Sequence, residues 1–102
     1  MICEIDIEKE INSKNLNAPR LTPEHIDSVI YSVEYHVFSG TNMTVCCLTL
    51  KNGFNVIGES ACASPENYDK EIGEKIAFEK ARNKIWELEG YLLKNNFYNK
   101  AQ

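Results

Sequence analysis

The dipeptide Asn52-Gly53 stands between two apolar runs, Met43 to Leu50 and Phe54 to Glu59, and no other feature limits the fold of this chain as strongly. Asn and Gly both accept positive φ, so the pair favours a tight hairpin and the flanking runs are expected to be antiparallel neighbours. Upstream, Val33, Tyr35 and Val37 alternate with Glu34, His36 and Phe38, which is the period of two of a half-buried strand. Ser39-Gly40-Thr41-Asn42 turns the chain between that strand and Met43. The middle of the chain therefore reads as a three-stranded antiparallel meander, with its second strand apolar on both faces around Cys46 and Cys47.

Helical signals lie on either side of the meander. Thr22-Pro23-Glu24 combines an N-cap hydroxyl, a proline whose missing N–H costs nothing at the first turn, and an early acid. A short N-terminal helix is expected there, with Ile26, Val29 and Ile30 on one face. Ser60 to Asn67 reads as a loop of small residues that ends by repeating the same signal in Ser64-Pro65-Glu66, and a long C-terminal helix is expected to follow from about Asp69. From Asp69 onward Gly73, Ala77, Ala81, Ile85, Leu88 and Leu92 recur at steps of three and four, a narrow stripe that begins with small residues and ends with large ones. Gly90 predicts a bend or a split near residues 86–90. The fold class is α+β, with a variable arm over residues 1–21, a single domain over 22–95 and a C-terminal tail over 96–102. In the arm, Ile2, Ile5, Ile7 and Ile11 suit either a short helix or a strand.

Composition narrows the function. Hydrophobic residues make up 43% and charged residues 25% of the 102 positions, as in chains that fold around one core. A formal net charge of −4 lacks the basic stripe that long nucleic acid requires. No stretch approaches the roughly 18 apolar residues of a membrane span, and the N-terminus lacks the basic and apolar regions of a signal peptide, so a cytoplasmic protein is expected. Cys3, Cys46, Cys47 and Cys62 show no C-x-x-C spacing, and adjacent Cys46 and Cys47 on a strand point to opposite faces. Free thiols without a metal are expected.

The two histidines, His25 and His36, show neither a metal-pair spacing nor a nucleophile relay, and there is no glycine-rich phosphate loop. The helix acids Glu71, Glu74, Glu79, Glu87 and Glu89 alternate with Lys70, Lys75, Lys80 and Lys84, the pattern of a solvated, salt-bridged face. No catalytic residue and no cofactor is assigned, and binding without catalysis is the expectation. A second stripe on the long helix, Phe78, Arg82, Trp86, Glu89 and Leu93, exceeds what an amphipathic helix needs. It suits either a contact with another subunit or a cation between aromatic planes, ready for a nucleotide.

Taken together, Ser32-Val33-Glu34-Tyr35, the run Thr49 to Phe54, Gly58-Glu59-Ser60-Ala61-Cys62 and the run from Lys84 through Trp86 to Leu93 resemble the family of small phage and prophage proteins named after early proteins of phages N4 and Sf6. The resemblance covers about Thr22 to Leu93. The family is in turn similar to the first type of Thoeris anti-defence protein, a viral sponge that holds cyclised ADP-ribose signals without cleaving them. The resemblance implies a phage counter-defence protein, cytoplasmic in the infected bacterium, that sequesters a small cyclic nucleotide; a homo-oligomer is expected from the residues themselves, since Phe78, Trp86, Tyr91, Leu93 and the apolar arm exceed what one three-stranded sheet can cover. The ligand residues that the resemblance implies are Phe54 for stacking on a base, Ser64 and Asn67 for ribose or phosphate, and Arg82 for the pyrophosphate, with Phe78 and Trp86 beside it. The alternative function is inhibition of a host protein by direct contact, through the sheet edge or the Phe78/Trp86 face.

Overall fold

The computed structural model describes residues 4–14 and 19–101, so Ile2, Cys3 and residues 15–18 lie outside the described residues. The chain runs α1 (Glu4–Ser13), α2 (Pro23–Ser28), β1 (Ile30–Val37), β2 (Met43–Leu50), β3 (Asn55–Ala61), a single 3-10 turn (Pro65–Asn67) and α3 (Lys70–Lys100). The strands form one antiparallel sheet in the order β1-β2-β3, and the fold is α+β. No helix among the described residues is long and apolar enough to cross a membrane.

Local chemistry accounts for most of the element ends. Thr22 Oγ1 accepts from His25 N at 3.1 Å and caps α2, with Pro23 in its first turn. The β2–β3 connection is a three-residue loop: Gly53 N donates to Leu50 O at 2.9 Å, Gly53 has φ 90°, and Leu50 N then donates to Phe54 O at 2.8 Å. A turn followed by a left-handed glycine is the next most favoured hairpin after the two-residue form. The second Ser-Pro-Glu signal does not start the long helix. It makes only the 3-10 turn, and Asp69 caps α3 instead, its carboxylate accepting from Ile72 N at 3.1 Å. A carboxylate is an effective cap because it meets both the free N–H groups and the positive end of the helix dipole.

The helix does not split near residues 86–90. It runs without a break from Lys70 to Lys100, through Gly90 and through the segment expected to be a tail. An interior glycine costs only about 1 kcal/mol against alanine. Here Leu21 Cδ1 packs beside it, 3.9 Å from where a Cβ would stand.

The core lies between α3 and the strands β2 and β3. Ile26, Cys46, Leu48, Leu50, Val56, Ala77, Ala81 and Ile85 are buried in it. Cys46 faces the helix while Cys47 turns outward, as adjacent strand positions must. The small half of the α3 stripe meets Gly58 on β3, where a Cβ would collide with the backbone of Ala77 and Ala81. The large half does not join the core: Leu88 and Leu92 are exposed, because α3 is about 46 Å long and the strands only about 25 Å.

β1 is not half-buried. Its six central residues are exposed on both faces, since α3 packs across β3 and β2 and leaves β1 at the uncovered edge. By register Val33, Tyr35 and Val37 share the helix-side face with Leu48, Cys46 and Thr44. Nothing among the described residues covers Val33 and Tyr35, which stay 42% and 38% exposed.

Candidate functional site

Phe78, Arg82 and Trp86 sit on the side of α3 that faces α2, and the two aromatics pack against the core. Arg82 lies between the helices with its side chain 11% exposed. Its Nε donates to Asp27 Oδ1 at 2.8 Å, Nη1 donates to Glu4 Oε1, and Nη2 donates to Pro23 O at 3.3 Å. Burial works to lower the Arg82 pKa, but the bonds to Glu4 and Asp27 outweigh it and hold the guanidinium above its ordinary value. Arg82 therefore pins α1 and α2 onto α3, with each of its three nitrogens donating a bond inside one chain. Arg20 adds a second tie to α1 through Glu8 at 2.8 Å. Between α1 and the body remains an apolar cavity of about 320 Å³, lined by Ile7, Ile11, Leu21, Pro23 and Trp86.

Asn67 lies at the other end of α3, in a cleft that the sequence alone only half disclosed. The 3-10 turn sets it there, with Asn67 N donating to Ser64 O at 3.0 Å. Asn42 closes the cleft from the β1–β2 turn, its Nδ2 donating to Cys62 O at 2.6 Å. Ser60 Oγ donates to Gly73 O at 2.8 Å and fixes the strand to the first turn of the helix. Two adjoining cavities share Asn42, Cys62 and Tyr68. One, of about 160 Å³, reaches Asn67, Asp69, Ile72 and Ile76, and the other, of about 400 Å³, opens toward Gly40 and Thr41. The cleft offers hydroxyl and amide groups, one aromatic side chain and apolar walls. Since the Asp69 carboxylate already occupies the positive end of α3, the cleft suits neutral polar groups better than an anion.

Phe54 occupies a third place. It is 54% exposed at the hairpin end of the sheet and borders an open groove with Ile57, Lys84, Glu87 and Leu88. Lys84 Nζ donates to Ile57 O, so the cation is held close to that groove.

The six residues that the resemblance singles out thus form three groups within one chain: Phe78, Arg82 and Trp86; Ser64 and Asn67; and Phe54. Ser64 gives its carbonyl to the turn and to the Cys62 thiol, which donates at 3.0 Å. Sequence reasoning missed Asn42, Tyr68 and Asp69. Only the Asp69 cap had a local signal, an acid one residue before the helix. Asn42 and Cys62 meet across 20 positions, which no local pattern announces. His25 Nε2 stands 3.3 Å from Glu89 Oε2 and links α2 to α3, while the His36 ring makes an edge contact with Phe38 at 4.9 Å.

No curated protein and no solved structure matches this chain. A family model does, over residues 21–97, which spans α2, the whole sheet and nearly all of α3. The chain belongs to the Phage protein (N4 Gp49/phage Sf6 gene 66) family.

Proposed function

We propose that this phage-family protein works by binding, not by catalysis, and that as a homo-oligomer in the cytoplasm of the infected bacterium it sequesters a small cyclic nucleotide signal such as a cyclised ADP-ribose. The observation that supports the reading is the cleft at the start of α3. Asn67, one of the residues implied by the resemblance, stands there beside Asn42, Ser60 and Tyr68. These groups would serve ribose hydroxyls and a base edge, with Tyr68 as the stacking surface. Phe54 beside Lys84, in the separate groove at the hairpin end, would serve a base and a phosphate of a second ligand molecule. Sequestration needs affinity and no preference for a transition state, so it asks nothing further of these residues.

Thermal shift against cyclised ADP-ribose isomers and cyclic di- and trinucleotides tests this reading, because a ligand that binds only the folded state raises the melting temperature. A rise with one of them, recovery of that ligand intact from the complex, and loss of the rise in Tyr68→Ala or Phe54→Ala are the expected results. If no cyclic nucleotide moves the melting temperature, the sequestration reading fails and direct contact with a host protein takes its place.

A further inference from the structure

The two edges of the sheet are treated differently, and the difference concerns what each could pair with. Leu50 N donates to Phe54 O, whereas Lys51 N donates to Val29 O, so even-numbered positions of β2 bond toward β3 and odd-numbered ones toward β1. With Ser32 opposite Thr49, Glu34 opposite Cys47 and His36 opposite Val45, the β1–β2 hydrogen bonds fall on Ser32, Glu34 and His36. The N–H and C=O groups of Val33, Tyr35 and Val37 therefore point away from the sheet along an edge that no strand among the described residues pairs with. The same alternation turns the carbonyl of Ile57 outward on β3, and there Lys84 Nζ takes it.

A lysine over the outer carbonyls is a common device against edge pairing. β1 lacks such protection: its sequence, Ile30 to Val37, holds no lysine or proline, and its helix-side Val33 and Tyr35 lie uncovered. We propose that the β1 edge is an interface for a second copy of this chain, formed by antiparallel β1–β1 pairing about a two-fold axis at Tyr35.

Charge selects the register. Bonding requires odd positions to face odd positions, and over the regular part of β1, Ser32 to Val37 beyond the irregularity between Ile30 and Ser32, the two registers that pair most residues place either Glu34 opposite Glu34 or Glu34 opposite His36. The first sets like charges side by side, which destabilises a cross-strand pair. The second, centred on Tyr35, lets Tyr35 bond its own copy and Val33 bond Val37 of the second copy, twice over. Glu34 and His36 then meet in a pair that is not hydrogen-bonded, where side chains come closest. His36 is already braced against Phe38 by the edge contact of their rings. The apolar helix-side residues of both strands cover each other, which answers the exposure of Val33 and Tyr35. A symmetric contact of this kind closes at two copies.

This inference rests on the homo-oligomer of the proposed function and gives it an interface, but it needs no ligand, so it can fail while nucleotide binding stands, and the reverse. Sedimentation and light scattering at tens of micromolar test it on the full chain without added nucleotide. The parent protein is expected to be a dimer. Tyr35→Pro, which removes an N–H that β2 does not use, should be a monomer with unchanged far-UV circular dichroism. His36→Glu should weaken the dimer at least tenfold by setting acids face to face, and Glu34→Lys combined with His36→Glu should restore it. If Tyr35→Pro fails to fold, the charge exchange decides alone, since both of its positions are exposed. A monomeric parent, a dimer indifferent to these changes, or a double variant that stays dissociated overturns the proposal.

Discussion

Gly58 of β3 and Ala81 of α3 meet backbone to backbone, so closely that a Cβ on Gly58 would collide with the main chain of Ala77 and Ala81. The contact sets the distance between helix and sheet, and with it the placing of both ends of α3. Gly58→Ala should cost about 3 kcal/mol or more, because backbone cannot move aside as a side-chain tip can. Ala77→Leu should cost roughly 1–3 kcal/mol by the same crowding. Gly40, with φ 76° and nothing within 4 Å, is the control, and Gly40→Ala should cost only about 1 kcal/mol. Urea melts of the three variants check the order, and a Gly58→Ala protein as stable as Gly40→Ala would mean that the helix lies further out.

Arg82 ties α1 and α2 to α3 by three hydrogen bonds, two of them to carboxylates. Asp27 is 61% exposed and Glu4 41%, so solvent screens much of the attraction. Arg82→Ala should still lower stability by about 1–2 kcal/mol, and Arg82→Lys should recover only part of it because the ammonium cannot match the fork. A cation kept free for a nucleotide, one of the two uses that its flanking aromatics suggest, would instead leave melting nearly unchanged when replaced. Melting temperatures of the two variants decide between these outcomes.

Thr44 is fully buried, and its Oγ1 has no hydrogen-bond partner among the described residues. It lies against Gly73, 3.1 Å from where that residue's Cβ would be. An unpaired buried hydroxyl costs about 1–3 kcal/mol, so Thr44→Val should leave stability unchanged or raise it by about 1 kcal/mol. A clear loss in a denaturant melt would show that the hydroxyl serves a partner at the edge of the α3 cleft.

Burial, with the neighbouring Cys47 and Glu74 adding to it, pushes the Cys46 thiol up from an ordinary value of 9.0 to about 11. The folded state thus holds the proton more tightly than the unfolded chain. Its contribution to stability is complete below about pH 9 and is lost as pH rises through about 11. The urea midpoint should fall across that window, and less steeply in Cys46→Ala. Near neutral pH, iodoacetamide should modify the half-buried Cys47 and Cys62 before Cys46, as peptide mapping would show.

What could be read in advance was what neighbours in sequence decide. Thr22 caps α2 through a residue three places away, and Gly53 turns a hairpin whose strands flank it directly. The alternation in β1 was visible too, but its burial was not, because it depends on how far α3 reaches across the sheet. The Phe78, Arg82 and Trp86 stripe stood out as more than one amphipathic face needs. Its purpose was hidden, since Arg82 meets Asp27 over 55 positions and Glu4 over 78. The stripe placed the start of α3 near Asp69, but the capping role of that carboxylate went unread beside the more conspicuous Ser64-Pro65-Glu66.

The overshoot of α3 past the sheet divides one helix into two regimes of motion. Around Ala77 to Ile85 its amides can open only when the Gly58 seam opens, so they should exchange with deuterium at the rate of global unfolding. From Tyr91 to Lys100 the same helix has no sheet beneath it, and Tyr91, Leu92, Phe97 and Tyr98 face solvent. An unsupported stretch of that length is marginal in water, so its amides should exchange by fraying from the end, many orders of magnitude sooner. A gradient of protection along a single unbroken element is the dynamic signature of this architecture, and anything that settles on the free end would be read as a selective slowing there.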